Sequence, residues 1–97
     1  MTPTATQQLA LGLAAQSASG TIVSCGGGYW VAGDTSLMDR QAVYRGAGKL
    51  PWVPTTTVYA CERAGWFVRC NPALPRHEDP RRLTDAGRAV LLPTVAR

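Results

Sequence analysis

Three consecutive glycines, Gly26-Gly27-Gly28, stand between two runs of β-branched and aromatic residues, TIVSC before them and YWVA after. A helix interior does not accommodate such a triplet, because glycine loses the most backbone freedom on ordering. A tight turn does, since glycine enters positive φ without steric cost. The pattern predicts a β-hairpin over residues 21–32, with Ile22 and Val23 on one arm and Tyr29, Trp30 and Val31 on the other. A glycine run can also cradle a phosphate, but that use needs a helix N-terminus directly after it. A strand-like segment follows here, which favours the turn.

Ahead of the hairpin, ATQQLALGLAAQSA reads as a helix with Thr2 as N-cap and Pro3 in the first turn. Its core stripe is Ala5, Leu9 and Leu13, widened by Ala10 and Ala14, and Ser19-Gly20 ends it. The stretch from Leu9 to Gly20 imitates a signal peptide poorly. No basic residue precedes it, Gln7 and Gln8 interrupt it, and its apolar core is far shorter than the ~20 residues that span a bilayer. A cytoplasmic protein is expected. From Gly33 to Pro54 the periodicity dissolves, and Gly46, Gly48, Pro51 and Pro54 punctuate a loop with one turn of helix near Met38 to Tyr44. The GAGKL segment within it lacks the earlier glycine of a phosphate-binding loop. Leu50 also stands where a magnesium-binding hydroxyl belongs, so nucleotide hydrolysis is not supported.

The second half is more regular. PTTTVYACERAGW (Pro54 to Trp66) predicts a helix capped by one of three threonines and ended by Gly65. Val58, Cys61 and Ala64 form its buried stripe, leaving Thr56, Tyr59, Glu62 and Arg63 outward. WFVRC then reads as a strand, NPALPRHEDP as a long loop and RRL as a returning strand. LTDAGRAVLLP predicts a closing helix, with Thr84 as N-cap, Asp85 in the first turn, Ala86, Ala89 and Val90 on its apolar side and Pro93 as its stop. The expected fold class is α+β: one domain over residues 1–97, helices with a C-terminal hairpin and an additional N-terminal glycine-turn hairpin.

Charge sharpens this division. No charged side chain precedes Asp34, and all ten basic residues, nine of them arginine, follow it. The net charge of +4 favours acidic partners such as a phosphate backbone. Cys25, Cys61 and Cys70 are odd in number and lack C-x-x-C spacing, so they indicate neither a disulfide framework nor a zinc ribbon; even with His77 their spacings are not those of a zinc finger. The only histidine, His77, lies beside Glu78 and Asp79 in a proline-flanked loop. No nucleophile has a base at motif spacing. Neither an enzyme, a metal site nor a cofactor is expected.

TTTVYACERAGWFVRC followed by RRLTDAGRAVL resembles the second half of the winged-helix (helix-turn-helix) domains of bacterial and phage transcriptional regulators, over residues 54–92. ERAGW resembles the end of that family's recognition helix, and RRLTDAGR its phrase "Y-x-L-T-x-x-G-R". The resemblance implies a winged-helix-like fold, binding to double-stranded DNA and possible homodimer formation through the uncharged N-terminal helix. It assigns Thr55, Thr56, Tyr59 and Arg63 to a recognition helix, and Arg69, Arg76, Arg81 and Arg82 to a wing touching phosphates. The first half departs from the pattern, since a hairpin and a loop stand where two helices are usual. The alternative is a protein-binding adaptor or inhibitor of mobile-element type, anchored by aromatics among Trp30, Tyr44, Trp52 and Trp66.

Overall fold

A computed structural model describes residues 2–91. Helix α1 (Ala5–Gln16) starts one cap later than its sequence suggested. Thr4, not Thr2, accepts from the Gln7 backbone N–H, while the Gln7 side chain accepts from the Thr4 N–H, a reciprocal capping box. The buried stripe is rotated accordingly. Ala10, Leu11, Leu13 and Ala14 face inward, whereas Leu9 is 42% exposed. The small Ala10 and Ala14 let α1 lie close to the sheet and to a second helix, so its apolar side serves this chain's own core.

Strands β1 (Thr21–Gly26) and β2 (Tyr29–Ala32) form the hairpin the glycines predict. Gly26, Gly27 and Gly28 all take positive φ, at 92°, 65° and 87°. The register pairs Ile22 with Ala32, Val23 with Val31 and Ser24 with Trp30, followed by a bulge before Gly26 meets Tyr29. Because side chains alternate, Ile22 and Trp30 face one layer while Val23 and Val31 face the other.

The segment expected to be loop with one helical turn near Met38 to Tyr44 holds a longer helix there and a short strand. Helix α2 (Leu37–Tyr44) runs for two turns, opened by Ser36, whose hydroxyl accepts from the Asp39 N–H. Gly46 (φ 75°) closes it: the Gly46 N–H donates to the Val43 carbonyl and the Ala47 N–H to the Ala42 carbonyl. The glycines of GAGKL therefore serve as a helix stop. Strand β3 (Val53–Pro54) is two residues long and exists because Trp30 pairs with Val53 and Tyr29 with Pro54.

Helix α3 (Thr55–Arg63) begins at Pro54, with no threonine capping it, and ends at Gly65 (φ 84°) as expected. Strands β4 (Phe67–Arg69) and β5 (Arg81–Leu83) are the predicted hairpin arms, but they are not a separate unit. Thr21 pairs with Arg82 and Ile22 with Arg81, so β1 and β5 join both hairpins into one antiparallel sheet, ordered β3-β2-β1-β5-β4. Helix α4 (Asp85–Val90) is capped by Thr84, which accepts from the Gly87 N–H and donates to the Gly65 carbonyl. It buries Gly87, whose missing side chain lets it press against Trp66; Ala86 and Ala89 face solvent instead. Pro93 lies outside the described residues.

The chain is thus an α+β fold with helices on both sheet faces. Leu11, Ile22, Trp30, Val53, Val58, Cys61, Trp66, Phe67 and Leu83 form the main core between the sheet and the layer of α1 and α3. Val43 of α2 covers Val23 and Val31 on the opposite face. Helices α2 and α3 therefore lie on opposite sides of the sheet.

Candidate nucleic-acid interface

Helix α3 is amphipathic in the manner its sequence implies, with Val58 and Cys61 fully buried. Thr56 and Arg63, seven residues apart, form an exposed ridge, with Tyr59 half-buried beside it. Thr55 is half-buried and turned toward the sheet: its Oγ1 accepts from Trp30 Nε1 at 2.9 Å and fastens α3 to the sheet. Its expected place on the recognition face is corrected.

Arg81 reverses its expected role as a wing contact. It is 0% exposed, because its strand partner is Ile22 and alternation puts it on the same inward side as Leu83. Its Nε donates to Glu62 Oε1 at 2.8 Å and its Nη1 to the Asp79 carbonyl. The guanidinium lies 5.5 Å from the Trp30 ring and 5.4 Å from the Tyr59 ring, and its Nη2 has no partner among the described residues. Glu62, read as outward, turns in to meet it.

Arg69 is likewise engaged. Its Nε donates to Asp79 Oδ2 at 2.7 Å and its Nη2 to the Leu74 carbonyl at 2.7 Å. Asp79 is fully buried and also accepts from the Asn71 N–H at 2.7 Å. Burial pushes the Asp79 carboxyl up, but the bonds from Arg69 and Asn71 and the charges of Arg69 and Arg81 outweigh it and hold the group below the ordinary carboxylate range. The loop between β4 and β5 is thus folded around one carboxylate. It also brings Arg76 back over α3, with its guanidinium 4.1 Å from the centre of the Tyr59 ring.

The eight residues assigned by sequence therefore separate into groups. Thr56, Arg63 and Arg76 are exposed around α3, with Tyr59 between them. Arg82 is exposed too, but on the sheet face away from α3, beside Thr21 and Val68. Thr55, Arg69 and Arg81 hold the fold.

Other clusters offer less chemistry. Cys25, His77 and Glu78 line an open cleft of about 440 Å³. Burial raises the Cys25 thiol despite the opposing charge of Arg40, and burial pushes Cys61 up to about 11, so both are held protonated at neutral pH. Among the described residues no group of His, Cys, Asp and Glu is arranged to hold a metal, and no helix is long and apolar enough to cross a membrane. Of the four aromatics noted as possible anchors, Trp30 and Trp66 are buried while Tyr44 and Trp52 are exposed. No protein family, no curated protein and no solved structure matches the chain.

Proposed function

We propose that this is a small regulatory nucleic-acid-binding module, without catalytic chemistry of its own, that receives double-stranded DNA on the outward side of α3. The observation that carries this reading is how charge is distributed around that helix. Glu62 and Asp79, which would repel a phosphate backbone, are each held by an arginine, while Arg63 and Arg76 stand outside with no carboxylate partner among the described residues. Thr56 and Arg63 supply the hydroxyl and guanidinium that suit base edges, and Arg76, held by Tyr59, suits a phosphate. The chain order supports it as well: α3 runs through Gly65 into the β4-β5 hairpin and then into the Thr84-capped α4, the order the winged-helix resemblance implies. On this reading Arg82 contributes little, because it faces the other side of the sheet.

The test is amide chemical-shift mapping with a short random-sequence duplex at ~50 mM salt, where phosphate contacts are strongest. Shifts at Thr56, Arg63 and Arg76, with none at Arg82, are the expected outcome. Shifts confined to α2, or none at all, would contradict it. A protein partner is the second reading, favoured by α2, which holds Leu37 and Met38 at 72% and 79% exposure.

A further inference from the structure

The edge of the sheet at the glycine turn carries a second surface, made of aromatic rings and cations, that the duplex reading does not use. Trp52 meets Tyr29 edge to face, with ring centroids 4.6 Å apart and planes at 85°. Tyr44 lies across Gly26 and Gly27 so closely that a Cβ at either glycine would come within 3.3 Å of its ring. The turn thus fixes Tyr44 in place and leaves it 56% exposed, with Trp52 at 46%. Arg45 follows Tyr44 in the chain and Lys49 stands three residues before Trp52, both exposed; between Leu37 and Val53 the sequence holds one acid, Asp39, while Glu78 lines the cleft beside Gly26.

Pre-positioned rings with exposed cations close by in the chain suit a chain of bases and phosphates. Stacking needs a ring held in place and is tolerant of sequence, while the cations follow the backbone. A second copy of this chain suits it less, because its own Arg45 and Lys49 would face the same cations and its net charge is +4. We propose that this edge binds unpaired nucleotides of a single-stranded nucleic acid, with bases stacked on Tyr44 and Trp52 and phosphates on Arg45 and Lys49. It stands apart from the duplex reading, since Thr56, Arg63 and Arg76 take no part. The site also adjoins the N-terminus of α3, where the Thr55 N–H donates to the Gly28 carbonyl at 3.1 Å.

The probe is a short oligothymidylate strand. Trp52 is the one exposed tryptophan, Trp30 and Trp66 being 0% and 5% exposed, so intrinsic fluorescence reads the site directly. Quenching that saturates and weakens with salt is expected. Tyr44→Ala, and Arg45→Ala with Lys49→Ala, should each raise Kd on the order of tenfold, while Tyr44→Phe keeps binding and Arg63→Ala leaves it unchanged. Trp52→Ala is read instead by anisotropy of the labelled strand, with the same expected loss. No quenching by the strand, or quenching undiminished in Tyr44→Ala, overturns the proposal. Self-association in sedimentation equilibrium that Trp52→Ala abolishes also overturns it, and assigns the edge to a protein contact.

Discussion

The interior and one edge of the same sheet use arginine and aromatic side chains in opposite ways. On the inner strand β5, Arg81 lies beside the Trp30 and Tyr59 rings and is hydrogen-bonded to Glu62 and the Asp79 carbonyl, so its charge is paired inside the chain. At the glycine-turn edge, Tyr44 and Trp52 pack by one side only and Arg45 stays in solvent. The difference follows from where each residue falls in the register. Arg81 lies opposite Ile22 in the middle of the sheet, whereas Trp52 precedes a two-residue edge strand. An arginine on a hairpin is therefore a binding residue only if alternation turns it outward.

Substitutions at Arg81 and Tyr44 separate the two regions most sharply. Arg81→Met leaves Glu62 without its partner beside the core and should cost about 3–5 kcal/mol in urea unfolding. Tyr44→Ala at the glycine-turn edge should stay within about 0.5 kcal/mol. Comparable losses would mean that the exposed rings also support the fold.

Asp79 gives the next test. Its folded pKa lies below the unfolded value, so its stabilisation is fully present above about pH 4 and disappears as pH falls through the depressed folded value. Asp79→Asn should lower stability at pH 7 by about 1.5–3 kcal/mol and flatten the acid limb of the stability profile. An acid limb as steep as that of the unmodified chain would place its acid sensitivity elsewhere.

Much of this architecture was legible in the chain because it is locally encoded. The glycine hairpin, the Gly65 stop of α3 and the Thr84 cap of α4 each depend on neighbours a few residues away. Helix α2 was legible in place but not in length: the helical turn expected near Met38 to Tyr44 is two turns long, and Ser36 with Asp39 three places on marks its start. Strand β3 carried none, since only its pairing to β2 makes it a strand. The burial of Arg81 was half legible. In Arg81-Arg82-Leu83, period-two alternation puts Arg81 on the side of Leu83, and an inward leucine forces an inward arginine. Its partner Glu62, however, is nineteen residues away on α3, and only the packing of that helix against the sheet brings them together. The candidate site was legible for the same reason in part: the helical period exposed Thr56 and Arg63, while the return of Arg76 onto Tyr59 depends on a loop folded around Asp79.

If DNA meets α3 through the arginines left outside, the salt dependence of duplex binding reports those arginines one by one. Anisotropy of a labelled random-sequence duplex at ~50 and ~200 mM salt gives the slope of log K against log salt concentration. Arg63→Ala and Arg76→Ala should each lower that slope by about one, with Arg82→Ala unchanged. No binding at ~50 mM salt, or a slope that falls with Arg82→Ala and not with the other two, would rule out the outward side of α3 as the duplex-binding surface.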